Sequence, residues 1–148
     1  MTKPLPPKSL VLYADDDPDD RDLLAEAFNE YSSDVELMTF ENGKDLLSFI
    51  SHDPQELPPC LIILDINMPG INGKQVLKSI RGNSNFVDIP VVLFSTSTLP
   101  SEAAFAQSYN AAFITKPLHV TQIHQIVDKM IEYCTGDLKE RLKLRNRK

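Results

Sequence analysis

The sequence predicts an α/β fold, a doubly wound five-stranded parallel sheet with five helices, and three observations carry that prediction. Short strand-like runs recur five times, at residues 10–14, 35–40, 61–64, 90–94 and 111–115. Each is followed by a segment whose apolar residues fall at helical spacing, and strand–helix alternation of this kind builds parallel sheets. Several of the runs, Leu61-Ile62-Ile63-Leu64 above all, are apolar throughout rather than alternating, which suits strands covered on both faces. A chain of 148 residues with 42% hydrophobic content fits one domain with one core.

The elements follow in order. Residues 1–8, with three prolines, read as an extended arm, residues 9–135 as the domain, and residues 136–148 as a basic tail. The first strand ends abruptly in Asp15-Asp16-Asp17-Pro18-Asp19-Asp20. Leu23, Leu24, Ala27, Phe28 and Tyr31 then mark a helix whose leading acids face the positive end of its dipole. Val35, Leu37 and Thr39 alternate as a strand, Asn42-Gly43 turns, and Leu46, Leu47 and Ile50 share a helical face. A loop over residues 51–59 leads to the third strand. Asp65 follows it directly, and Pro69-Gly70 stops regular structure. Val76, Leu77 and Ile80 give the next helix, broken by Gly82-Asn83-Ser84-Asn85. The fourth strand ends in the hydroxyl run Ser95-Thr96-Ser97-Thr98, and Pro100-Ser101-Glu102 starts a helix holding Phe105 and three alanines. The fifth strand ends at Lys116-Pro117. One last helix, from about residue 120 to 134, buries Ile123, Ile126, Val127, Met130 and Ile131.

Charge excludes some functions. Residues 137–148 hold six basic and two acidic residues, net +4, which leaves −10 on the rest of a chain of net charge −6. So acidic a body is unsuited to nucleic acid, whose binding relies on lysine and arginine at phosphates. No run approaches the roughly 18 apolar residues of a membrane span, and the first residues lack a signal peptide's apolar region, so the expected location is cytoplasmic. Cys60 and Cys134 read as small buried hydrophobes, rather than as a disulfide, and are assigned no function.

Right-handed crossovers bring all strand carboxyl ends to one rim. That rim collects Asp15, Asp16 and Asp17, Asp65, Ser95 and Lys116, while His52, His119 and His124 lie elsewhere. Singly, each has an ordinary reading: Asp65 as a turn or cap, Ser95 as a strand-end hydroxyl, Lys116 as a surface lysine. Jointly they describe a site. Two like charges about 4 Å apart repel by roughly 4 kcal/mol at an effective dielectric near 20. Lys116 offsets part of that repulsion and a hard divalent cation the rest. Mg²⁺ is the expected ion, since it is held by one or two carboxylates and keeps waters for a phosphate, and the cluster offers no histidine or cysteine for zinc. Carboxylate, metal, lysine and hydroxyl together fit phosphoryl transfer onto Asp65.

In these residues the chain resembles the receiver domains of two-component response regulators, over about residues 10–130. Asp15-Asp16 resemble the family's acidic pair, Asp65 its phosphoacceptor, Asn67 the residue whose backbone carbonyl binds Mg²⁺, Ser95 its switch hydroxyl and Lys116-Pro117 its Lys-Pro. The separations of 30 residues from Asp65 to Ser95 and about 50 to Lys116 agree. The resemblance implies a flavodoxin-like sheet of strand order 2-1-3-4-5 and a cis Lys116–Pro117 bond. It also implies transfer from a sensor histidine kinase, a phosphotransfer protein or a small phosphodonor. Ser95 would then move toward the phosphoryl group and Phe113 swing inward, altering the face of helix 4, strand 5 and helix 5 for a downstream protein; plain core packing is the other reading of Phe113.

Thr96 stands where the family prefers a smaller residue. The loop 51–59 and the segment 82–90 are longer than in the minimal chemotaxis receiver, and with Pro18-Asp19-Asp20-Arg21 they resemble single-domain receivers that partner phytochrome-type kinases. With only about fourteen residues after the fifth helix, no output domain is expected; Leu138 and Leu142 among them suggest a helix that docks or forms a homodimer, against the plainer reading of a solvated basic tail. The expected chemistry is a switch with slow self-dephosphorylation rather than turnover. Against an enzyme of the haloacid dehalogenase type stands Asn67, where that class wants a second acid. Against a flavodoxin-like cofactor binder stands the acidic first loop, which would repel a phosphate.

Overall fold

The computed structural model of the chain describes residues 9–31, 34–52 and 59–134; the predicted arm, tail and most of the 51–59 loop lie outside these residues. The strands are β1 (Ser9–Ala14), β2 (Val35–Phe40), β3 (Leu61–Leu64), β4 (Val91–Ser95) and β5 (Ala112–Thr115). All pair in parallel, in the order β2-β1-β3-β4-β5. The helices are α1 (Pro18–Tyr31), α2 (Gly43–His52), α3 (Gly73–Arg81), α4 (Pro100–Ser108) and α5 (Ile123–Glu132).

The central strands explain why the helices divide between two faces. Along β1, β3 and β4 successive side chains point to opposite sides. Val11, Tyr13, Leu61, Ile63, Val92 and Phe94 join one buried cluster with Leu24, Phe28, Val127 and Met130 of α1 and α5. Leu12, Ala14, Ile62, Leu64, Val91 and Leu93 join a second with Leu46, Val76, Leu77, Ile80 and Ala106 of α2, α3 and α4. Every residue of β3 is fully buried, and each such aliphatic side chain contributes about 1.5–3 kcal/mol on leaving water. The edge strand β2 is covered less well: Val35 alone is buried, and Glu36 and Thr39 are exposed.

Local sequence sets the helix starts. Asp17 Oδ1 accepts the Asp19 amide at 2.9 Å, which makes Asp17 the cap, Pro18 the first helical residue and Asp19 and Asp20 first-turn acids of α1. Asn42 caps α2 through the Asp45 amide at 2.7 Å, and Asn72 with Gln75 forms a capping box on α3. The single predicted last helix divides: Val120–Gln122 form a 3₁₀ turn before α5. Arg81 ends α3 by donating to the carbonyls of Tyr109, Val87, Ile89 and Asn110, so one guanidinium holds the β4 approach and the α4–β5 turn together.

Candidate functional site

The register places the acids side by side. Ala14 pairs with Leu64, so Asp15 and Asp65 each stand one residue past adjacent strands. Pairing continues beyond the strands, with the Asp15 amide donating to Phe40 O at 3.0 Å and the Asp65 amide to Ala14 O at 2.9 Å. On the other side Leu64 pairs with Leu93 and Ser95 with Thr115, which brings Ser95 and Lys116 to the same rim. The Lys116 amide donates to Ser95 O at 2.7 Å.

Lys116 is the hub. Its ammonium Nζ donates to Asp15 Oδ2 at 2.7 Å and to Asp20 Oδ2 at 2.8 Å, and lies 3.6 Å from Asp65 Oδ1 and 5.8 Å from the Phe94 ring centre. Burial pulls the ammonium toward deprotonation, but the hydrogen bonds to Asp15 and Asp20 outweigh it, and its pKa stands above the ordinary lysine value. Asp15 is fully buried. It also accepts from the Tyr13 hydroxyl and from the Asp17 amide, and its carbonyl accepts from Arg21 at 2.7 Å. Asp65 is 6% exposed; burial first, then the Asp15 charge, raise its carboxyl to about 7 against the opposing pull of Lys116. Tyr13 is likewise driven up by burial and by Asp15.

Carboxylate oxygens of Asp15, Asp16 and Asp65 lie within 4.8 Å of one another, with Asp16 exposed and the others buried. An all-oxygen group with one solvent-facing member suits a hard cation that retains water. The acidic run of the first loop therefore divides its work: Asp15 and Asp16 face the rim, Asp17 caps α1, and Asp20 turns back to Lys116. Asn67 is exposed, two residues past Asp65. Ser95 is fully buried and its Oγ accepts the Ser97 amide at 3.2 Å. Phe113 pairs with Leu93 and packs, half-buried, against the α2–α4 cluster.

The response regulator receiver domain model matches residues 11–128. The chain belongs to the response regulator receiver family. Two-component response regulator ARR17 of Arabidopsis thaliana is 30% identical over 125 residues, 78% of this chain and 80% of that protein. Response regulator Rcp1 of Synechocystis sp. is 29% identical over 126 residues, 82% and 85%. Other relatives are longer: the chain spans 31% of the chemotaxis protein CheV2 of Helicobacter pylori, with 26% identity over 98 residues. Among solved structures, the phosphorylated cyanobacterial phytochrome response regulator RcpA superposes with a TM-score of 0.77 at 26% identity, covering 86% of this chain and 94% of that one. The Mn²⁺-bound form of Rcp1 gives 0.72 at 25%, covering 80% and 88%, and the Mg²⁺–BeF complex of TrrA from Thermotoga maritima 0.64 at 28%, covering 82% and 98%.

One expectation for this receiver changes. The Lys116–Pro117 bond is trans, as are all described peptide bonds. Trans is the form favoured by about 0.5–1 kcal/mol for a residue before proline. Cys60 and Cys134 are buried thiols, in keeping with their reading as small buried hydrophobes, and their sulfurs lie 3.0 Å apart.

Sequence reasoning also passed over four residues that shape the rim: Tyr13, Asp20, Arg21 and Gly73. Tyr13 looked like one more strand residue, and only its polar tip within an apolar run distinguishes it. Asp20 and Arg21 were visible as the first turn of a helix that starts at the rim. Gly73 packs so closely that a Cβ there would stand 2.2 Å from Asp65 O, and its amide donates to Ile66 O at 2.9 Å.

Proposed function

We propose that Asp65 accepts a phosphoryl group from a phosphohistidine of a sensor kinase or phosphotransfer protein, or from a small phosphodonor, and that the modified domain presents a changed α4–β5–α5 surface to a downstream protein. The observation that carries this is a buried carboxylate, Asp65, just past the end of the central strand, 3.6 Å from a lysine ammonium and within 4.8 Å of two further acids. Family membership supports the same chemistry.

In the reaction an ionised Asp65 oxygen attacks phosphorus, the bond from phosphorus to the donor nitrogen breaks, and the leaving imidazole keeps the electron pair and takes a proton. Lys116 remains an ammonium throughout, because Asp15 and Asp20 hold that form, and so offers fixed positive charge to the transferring oxygens. Ser95 gives up its Ser97 contact to bond the phosphoryl group, and Phe113 turns inward into the space released. Asp15, Asp16 and Asp65, with the Asn67 carbonyl, would hold Mg²⁺, which when bound would neutralise carboxylate and phosphoryl oxygens. The two states exist before phosphorylation, which shifts their populations.

On this reading the unit is residues 9–135, and the chemistry is one transfer followed by slow self-hydrolysis rather than turnover. Nucleic acid and membrane are not its partners; a second copy of the chain is a further candidate partner. Among the described residues no helix is long and apolar enough to cross a membrane. Amide NMR with beryllofluoride tests the proposal. With Mg²⁺ present, resonances of Asp65, Ser95 and Lys116 and then of α4, β5 and α5 should move; shifts confined to the tail, or persisting in Asp65→Asn, would overturn it.

A further inference from the structure

Cys60 and Cys134 stand at the end of the sheet away from the phosphoacceptor. Cys60 immediately precedes β3, whose other end carries Asp65, and a four-residue strand spans about 13 Å. Cys134 follows α5 by two residues. The two sulfurs are 3.0 Å apart across a separation of 74 positions, closer than the ~4 Å of ordinary apolar contact and about 1 Å short of a disulfide bond. Both lie in the cluster that holds Ile131, Met130 and Val127 of α5 against β1 and β3.

We propose that Cys60 and Cys134 form a modification site that closes reversibly to an intramolecular disulfide on exposure to a hydroperoxide. The cysteines are 6% and 5% exposed, so access depends on local opening. The end of α5 provides it: Tyr133 and Cys134 are held there by single-turn backbone bonds to Met130 O and Ile131 O, both 3.0 Å, at a terminus that opens more readily than the core. The Cys134 sulfur, as thiolate, attacks the peroxide, breaking the O–O bond, and becomes a sulfenic acid while the peroxide leaves as alcohol or water. On reclosing, the Cys60 sulfur attacks that sulfenic sulfur, the S–S bond forms and water departs. Two thiols are oxidised by two electrons and one peroxide is reduced. A small dithiol reverses the step by thiol–disulfide exchange.

The bond would fasten the end of α5 to the entry of β3 and fix the point from which residues 135–148 depart. It acts on α5, one wall of the proposed output surface, and leaves the rim untouched, so it does not depend on Asp65 being the phosphoacceptor. The test uses the full 148-residue chain. After hydrogen peroxide and removal of excess, intact mass in urea with an alkylating agent should show loss of two hydrogens and no alkylation, and a digest should yield a Cys60–Cys134 linked peptide. The urea midpoint should rise, amide exchange in the last turn of α5 should slow, and dithiothreitol should restore all three. Cys60→Ala and Cys134→Ala should each lose the response. Two alkylatable thiols after treatment, sulfinic acid at one cysteine, or disulfide-linked dimers would each overturn the proposal. Should either alanine variant fail to fold, the wild-type mass and midpoint before and after reductant decide the matter.

Discussion

Replacing Asp65 by asparagine removes a charge that the crowded rim holds at a cost. The carboxyl has a value of about 7 in the folded chain against 3.8 as an unperturbed group. The native state therefore binds its proton more tightly than the unfolded state, and this group's contribution to stability falls as pH rises from near 4 to near 7. About three pKa units at 1.36 kcal/mol each give on the order of 4 kcal/mol, an upper value because counter-ions reaching the rim screen the acids. Asparagine mimics the protonated form and removes this penalty. Urea unfolding of the two proteins in EDTA, at pH 4, 6 and 8, reads the difference directly. Asp65→Asn should match the wild type at pH 4 and exceed it by about 2–4 kcal/mol at pH 8, and Mg²⁺ should narrow the gap by stabilising only the wild type. A variant no more stable than the wild type at pH 8 without metal would refute the reasoning, because the acids would then not be crowded.

Three further substitutions separate the parts of the site. Gly73→Ala forces a Cβ to within 2.2 Å of Asp65 O; it should cost about 1–3 kcal/mol in urea unfolding and slow phosphoryl uptake by displacing the acceptor backbone. Lys116→Ala leaves Asp15 and Asp65 buried without their cation, and should destabilise the metal-free chain by about 3–5 kcal/mol while Mg²⁺ restores part of the loss. Arg81→Ala breaks four bonds to carbonyls far from the rim. It should lower stability by about 2–4 kcal/mol and leave Mg²⁺ affinity, read by titration calorimetry, unchanged.

The fold was legible because each level of the sequence agreed with the next. Apolar strands, helical spacing and turn residues all demanded the same alternation, and alternation in a parallel sheet leaves one rim for strand-end residues. Asp15, Asp16, Asp65, Ser95 and Lys116 could be placed at one rim for that reason: each lies at or within two residues of a strand's end, and strand ends are readable without coordinates. What escaped depends on distances between elements. The closeness of Gly73 to Asp65 O, the turn of Asp20 back to Lys116, the Tyr13 hydroxyl on Asp15 and the meeting of Cys60 with Cys134 arise when helices dock on the sheet. Periodicity says which face of a helix is buried, not which atoms meet. The proline isomer at Lys116–Pro117 was carried by resemblance rather than by any residue pattern, and there the structure differs.

On the proposed function, Asp65 accepts a phosphoryl group with Mg²⁺ held beside it. Incubation with acetyl phosphate and Mg²⁺, followed at once by intact mass and peptide mapping, tests it most directly. A single phosphoryl adduct on the peptide containing Asp65, absent with EDTA and absent in Asp65→Asn, is the predicted result; an adduct that survives either change would contradict the account.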